Sequence, residues 1–364
     1  MEKGMNNRQA TCLLILFISG NSSLFGVGSP AGRDSWIALL LACIIALLVT
    51  SIYSRIQRLN ASHDFFEALS ILFGKWGGRI LTILMVWYAL HLSALLMRTL
   101  TELGMATSIV EPPYYIVLIL FTLAGIYLLR SGAATLGRWA FIIFIVLFLV
   151  NGFIVIASIK NMQILNLFPI LRRPAGELMQ GTAQYLSFPM LESIVFLPLL
   201  FGKKANFDAA KVYRFGILIG AGMLLTIVVS TFLLLGEPMM SEIYFPSHNA
   251  AKLISVGNFL TRVEEIVSVF MLLTGVTKFV VCLLTAAKGL AHLCGSTDST
   301  AFAVPTGMFS FSFSLIVANN IMDIDRFLTI YPFYALPFQV LLPIIIWCRS
   351  EYRSFQKKRL QAHG

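Results

Sequence analysis

Residues Phe17 to Gly32 read FISGNSSLFGVGSPAG and fall in the first membrane-length apolar segment of the chain. Glycine, serine and asparagine run through its middle, where a spanning helix ordinarily carries leucine. Glycine weakens a helix by about 1 kcal/mol relative to alanine, and Asn and Ser side chains offer the backbone competing hydrogen bonds. The midpoint lies in Gly20-Asn21-Ser22-Ser23, and Gly26, Gly28 and Pro30 carry the disruption outward. The break registers on either Gly20–Ser23 or Gly26-Val27-Gly28. Unwound backbone at membrane depth survives only where protein or a watery cavity satisfies its N–H and C=O groups. Taken singly such a break reads as a kink; matched by a second break at the same depth, it reads as a site.

The rest of the chain supplies the membrane context. Of 364 residues, 58% are hydrophobic and 12% charged, with a mean hydropathy of +0.83. Soluble domains carry about 25% charged residues, so the class is a polytopic, all-α membrane protein. The net charge of +10 is explained by cationic loops against anionic lipid, with no nucleic acid required. Five scattered cysteines, none in a CxxC pair, imply neither a disulfide framework nor a zinc site. Lys3 and Arg8 precede TCLLILFI, which is taken as an uncleaved first span rather than a signal peptide.

About 20 apolar residues cross a bilayer. Ten candidate spans follow, approximately 10–32, 36–53, 79–101, 113–130, 139–159, 180–201, 214–236, 263–287, 301–321 and 328–348. They form one integral membrane domain, with repeats at approximately 10–160 and 180–348 and a basic tail at 349–364. Of the 27 Lys and Arg residues, 18 lie on the side of the termini, seven on the other side and two inside spans. That bias predicts cytoplasmic termini. Span 7 contains GILIGAG (Gly216 to Gly222), a small-residue face for close helix packing, within the molecule rather than between copies.

Span 6 breaks at the depth of the first: AQYLSFPMLESIVFLP (Ala183 to Pro198) places Pro189 three residues before Glu192. Two interrupted spans, five apart among ten, point to a 5+5 inverted-repeat transporter architecture. Glu192 is a carboxylate near mid-membrane, where such groups face a cavity or a partner. Lys278 in span 8 is either its counter-ion or a side chain reaching to the cytoplasmic interface. His91, near the middle of span 3, either meets a ligand or caps a carbonyl. Arg98, Glu102 and Glu111 are expected to be solvated at the outer ends of spans 3 and 4. Arg262, Glu264 and Glu265 open span 8; the acids suit a helix N-terminus, which leaves the arginine unexplained. No P-loop, HExxH, GxSxG or paired-carboxylate constellation is present, so no enzyme activity, cofactor or metal is expected.

The chain resembles the B subunits of bacterial spore germination receptors, within the amino acid–polyamine–organocation transporter superfamily. The residues that carry the resemblance are GRDSWIALLLA (Gly32 to Ala42), FGKWGGRI (Phe73 to Ile80), NLFPIL (Asn166 to Leu171), LSFPMLESIVFLPLLF (Leu186 to Phe201) and FLTRVEEIVSVF (Phe259 to Phe270). Two departures from the family pattern are visible: Gly20-Asn21-Ser22 stands where Gly-x-Gly is usual, and Thr261 and Val263 stand where Glu and an aromatic are usual. The resemblance implies a site between broken helices 1 and 6, lined also by helices 3 and 8. It would comprise Gly20, Asn21, Ser22, Ser23, Phe188, Pro189, Met190 and Glu192, with His91 and Thr274 added. It implies a receptor subunit of the spore inner membrane that binds a small-molecule germinant, an amino acid, and works with A and C subunits. The alternative on the same fold is a proton-coupled amino-acid permease.

Overall fold

A computed structural model describes residues 5–20, 26–107, 113–202, 207–254 and 262–363, and the described residues contain helices and turns but no strands. The first helix, α1 (Asn7–Ser19), starts at a capping box in which Asn6 and Gln9 satisfy each other's backbone N–H groups. It ends at Gly20, where the apolar run ends. After a short 3-10 segment (Ser29–Asp34) follow α2 (Ser35–Leu59), α3 (Phe65–Thr107), α4 (Tyr114–Arg130) and α5 (Gly132–Ser158). Within α3 the chain turns at Gly74 (φ 76°), separating a pre-span helix from the span itself. This is the structural content of the FGKWGGRI stretch.

The second half begins with α6 (Ala175–Tyr185), which passes through a π-type turn (Leu186–Met190) into a 3-10 helix (Leu191–Leu200). Then come α7 (Ala209–Glu242), capped by Asp208, and a short α8 (Pro246–Lys252). The chain finishes with α9 (Val263–Leu293), α10 (Ala303–Val317), α11 (Ile321–Leu336) and, after a second π-type turn (Pro337–Leu341), α12 (Leu342–His363). Among the described residues, eight helices are long and apolar enough to cross a bilayer; α4 is shorter, and α1 is described only as far as Ser19. Those two stand at the fourth and first expected spans.

Packing places α1 at the centre. It lies against α5, α7 and α9, while α9 also packs along α3. A Cβ at Gly216 would fall 2.5 Å from Leu14 Cδ2, and one at Gly220 would fall 3.1 Å from Ile18 Cβ. The small-residue face of α7 is thus an intramolecular seat for α1. The outer faces of α2, α4 and α5 expose a belt of Leu, Ile and Phe, including Leu48, Leu120, Ile142 and Leu149. Such a surface suits lipid rather than water. The protein is an integral membrane protein.

The basic tail is a continuation of α12. Arg349 and Arg353 donate to the carbonyls of Leu72 and Ile71, each at 2.9 Å, just before the Gly74 turn. Two of the tail's cations therefore cap a helix end, which the negative C-terminal dipole favours. Arg55 binds Glu351 through both nitrogens of one fork, at 2.5 and 3.1 Å.

Candidate functional site

Pro189 has no N–H and cannot continue the α6 hydrogen-bond ladder. Phe188 before it takes extended angles (φ −135°, ψ 109°), and the chain re-enters helix with Glu192 in the first turn. Glu192 is fully buried, and one carboxylate oxygen receives the ammonium of Lys278, itself fully buried. The other oxygen accepts the Tyr331 hydroxyl at 2.5 Å. The hydroxyls of Tyr331 and Tyr88 lie 2.9 Å apart. Gln339 donates to the Tyr88 hydroxyl at 2.8 Å and to the Ser187 carbonyl at 2.7 Å. Tyr53 donates to the Gln339 carbonyl in turn. One polar chain thus ties α2, α3, the broken sixth span, α9 and α11 together at membrane depth. Buried ions persist where such bonds fill their remaining sites.

The ammonium of Lys278 also lies 4.9 Å from the Phe17 ring centroid and 4.6 Å from that of Phe188. Aromatic faces attract a desolvated cation by about 2 kcal/mol. Lys278 is therefore the point where α1, the sixth span and α9 meet. Its role is that of counter-ion to Glu192, not of a side chain extended to the interface.

Two spaces adjoin this group. A narrow chamber is walled by Leu92, Leu95, Leu96 and Thr99 of α3, by Ile324, Phe327 and Leu328 of α11, and by Phe188, Glu192 and Tyr331. A second is lined by Gly26, Ser29, Gln184 and Asp325. Phe188 and Leu328 belong to both and divide them. Gln184 also accepts the Gly28 N–H at 3.1 Å, joining the first interruption to the start of the second.

Of the expected site residues, Phe188, Pro189, Met190 and Glu192 surround the sixth-span break, with Lys278 beside them. Gly20 and Thr274 touch each other elsewhere: a Cβ at Gly20 would lie 2.7 Å from Thr274 Cβ. Both border a separate space among α5, α7, α8 and α9. The hydroxyls of Ser19 and Thr274 there are bound to carbonyls of their own helices. Asn21, Ser22 and Ser23 lie outside the described residues, as does Glu111.

His91 occupies an aromatic nest of its own. The ring centroids of Trp87, Phe313, Phe327 and Tyr334 are 6.0, 5.7, 5.7 and 4.9 Å away. Only Phe327 is shared with the Glu192 chamber. Arg98 is not solvated as expected but 8% exposed. It pairs with Glu102, reaches the Asn319 carbonyl, and lies 4.5 Å over the Tyr114 ring. The reason is that α3 runs to Thr107, so Arg98 sits more than two turns inside its end. Arg262 has partners too, Glu265 and Glu264, which accounts for an arginine at the mouth of α9.

Sequence reasoning passed over Tyr331, Gln339, Tyr88, Tyr53 and Phe17. The available signal was polar residues inside the apolar spans, Gln339 above all.

The family model described as spore germination protein matches residues 5–322. The chain belongs to the spore germination protein family. Relatives of this germination protein include spore germination protein KB of Bacillus subtilis, 25% identical across all of this chain and 99% of that one. Spore germination protein A2 of the same organism is 27% identical over 86% of this chain and 85% of its own. Among solved structures, MhsT in complex with L-phenylalanine superposes with a TM-score of 0.67 at 12% identity, covering 95% of this chain and 89% of that one. Mhp1, a nucleobase-cation-symport-1 family transporter in a closed conformation with bromovinylhydantoin bound, gives 0.64 at 12% identity, covering 90% and 76%. At such identities the likeness is one of fold: the germination protein has a transporter architecture.

Proposed function

We propose that this germination protein is the membrane sensor subunit of a nutrient receptor. It binds a small-molecule germinant, an amino acid, between α1, α3, the broken sixth span and α9. Binding is passed to A and C subunits of a receptor complex in the spore inner membrane, with both termini cytoplasmic. The observation that carries this reading is the buried Glu192–Lys278–Tyr331 group bordering an apolar chamber at the sixth-span break. An amino acid needs acceptors for its ammonium and donors for its carboxylate, and half-helix ends with a buried ion pair supply both. Family membership and the description of MhsT as an L-phenylalanine complex are in keeping with it. Gly20 and Thr274, which border the separate space among α5, α7, α8 and α9, are proposed as a second part of the ligand site together with Asn21, Ser22 and Ser23, which follow Gly20 in sequence; His91 is proposed to act from behind the chamber wall through Phe327.

A ligand can shift the protein only by its differential affinity for two states, and a sensor spends that difference on its neighbours. The purified chain in liposomes should be stabilised against heat by the right amino acid without accumulating it. Robust uptake driven by a pH gradient would overturn the sensor reading in favour of the permease. A screen of amino acids, sugars and nucleosides by thermal stabilisation identifies the ligand; stabilisation by none of them would refute the site.

A further inference from the structure

We infer that Lys278 is a tethered stand-in for the ammonium of an α-amino acid, and that the ligand binds by exchanging partners with the Glu192–Lys278 pair. The inference rests on the reading that the chamber takes an amino acid.

The first ground is that a complete ammonium site exists and is filled. A carboxylate with a tyrosine hydroxyl on its other oxygen and two aromatic faces surround one amine, all of it closed to solvent. These are the elements with which proteins recognise ammonium groups. The second ground is adjacency. Phe188, Glu192 and Tyr331 hold the lysine's surroundings and also wall the chamber beside it. A small molecule in the chamber would meet the same carboxylate from its other side.

The third ground is charge. A fully buried carboxylate balances one cation; a second amine raises the uncompensated charge in a low-dielectric site. An incoming ammonium must therefore displace Lys278 from Glu192. The displaced lysine remains buried and requires an anion. An α-amino acid brings one, so its carboxylate takes Lys278 while its ammonium takes Glu192. Net charge is zero before and after. A sugar offers neither partner, and a simple amine offers only one. The rest of the chamber wall, Leu92, Leu95, Leu96, Ile324, Phe327 and Leu328, is apolar apart from Thr99, whose hydroxyl is bound to the Leu95 carbonyl, which fits an aliphatic side chain. The exchange also states what binding changes: it removes the Lys278–Glu192 tie between α9 and the sixth span, while Thr285 and Lys288 of α9 keep their bonds to the Val195 and Pro198 carbonyls.

The test uses chemical rescue. Lys278→Ala removes four heavy atoms with the composition of n-propylammonium. The purified variant should melt below wild type and regain at least half of the loss in n-propylammonium chloride at about 50 mM, in excess of a millimolar Kd for the free amine. Sodium chloride or n-propanol at equal concentration should do nothing, and the Glu192→Gln/Lys278→Ala double variant should not respond to the amine. If Lys278→Ala does not accumulate, n-propylammonium in the growth medium should restore it. No rescue by either route, or equal rescue by the controls, overturns the exchange. In parallel, the wild type is screened with L-norvaline, L-valine, L-leucine and n-propylammonium. Stabilisation by an amino acid and not by the amine supports the exchange; stabilisation by the amine alone refutes it. Rescue of the variant with no amino-acid response in wild type would leave the ammonium cage standing and refute the amino-acid reading instead.

Discussion

Replacing Glu192 by glutamine leaves the Lys278 ammonium buried without a counter-charge. Both side chains are fully buried in the native protein. Removing one partner of a buried pair costs about 3–5 kcal/mol, because the survivor stays desolvated and alone. The two single variants should not be equal. After Glu192→Gln the lysine keeps the faces of Phe17 and Phe188, each contributing about 2 kcal/mol in a desolvated setting, so the loss falls at the lower end. After Lys278→Met the carboxylate keeps only the Tyr331 hydroxyl, and the loss falls at the upper end. The double variant removes both charges and refills the volume, so it should come within about 1–2 kcal/mol of wild type. The coupling then exceeds either residual, the signature of directly interacting groups in a double-mutant cycle. Thermal unfolding in detergent of the four proteins measures this. A double variant melting as low as the summed single effects would refute the pair, as would a glutamine variant melting with wild type.

Other expectations follow from the same geometry. Gly20→Leu should abolish the ligand response while the protein still inserts; its side chain would collide with Thr274, so the milder Gly20→Ala should cost about 1–3 kcal/mol, and Thr274→Gly should recover part of it, the Leu16 carbonyl at 2.9 Å remaining close. Normal accumulation and a normal ligand response in Gly20→Leu would refute the contact. Phe188→Ala should join the chamber to the outer space and weaken ligand-induced stabilisation at least tenfold in concentration; an unchanged midpoint would show that Phe188 does not close the site. A cysteine at Glu177 should react with an impermeant thiol reagent added outside, and one at Gln356 should not. Gln356 is exposed and the Glu177 side chain is 40% accessible, so the reverse pattern would invert the topology rather than report burial.

Much of the fold was legible because the lipid environment imposes a one-dimensional rule: apolar runs of bilayer length stand out, and interruptions in them stand out against the run. Gly20 and Pro189 were visible on that basis, and the structure ends α1 at Ser19 and breaks the sixth span at Phe188 and Pro189. Glu192 was visible because a carboxylate in such a run is costly. Arg98 was misjudged because the ruler of 20 residues stops α3 too early, and nothing in the sequence marks a span that overshoots the bilayer.

The sequence by itself determined the class, the order of the apolar segments and the places where helix would fail, since each depends on neighbouring residues alone. It also contained the candidates for a buried pair, Glu192 and Lys278. Which of two fates Lys278 takes was decided only by tertiary structure, because its length permits either and the choice depends on what α1 and the sixth span bring to it. The same holds for Tyr331, Tyr88 and Gln339, ordinary residues in their own helices that become one network when α3, α11 and the broken span converge. Gly20 and Thr274 are separated by more than two hundred residues, and their contact follows from the packing of α1 on α9. A side chain's chance of hydrogen bonding is local; its partner is not.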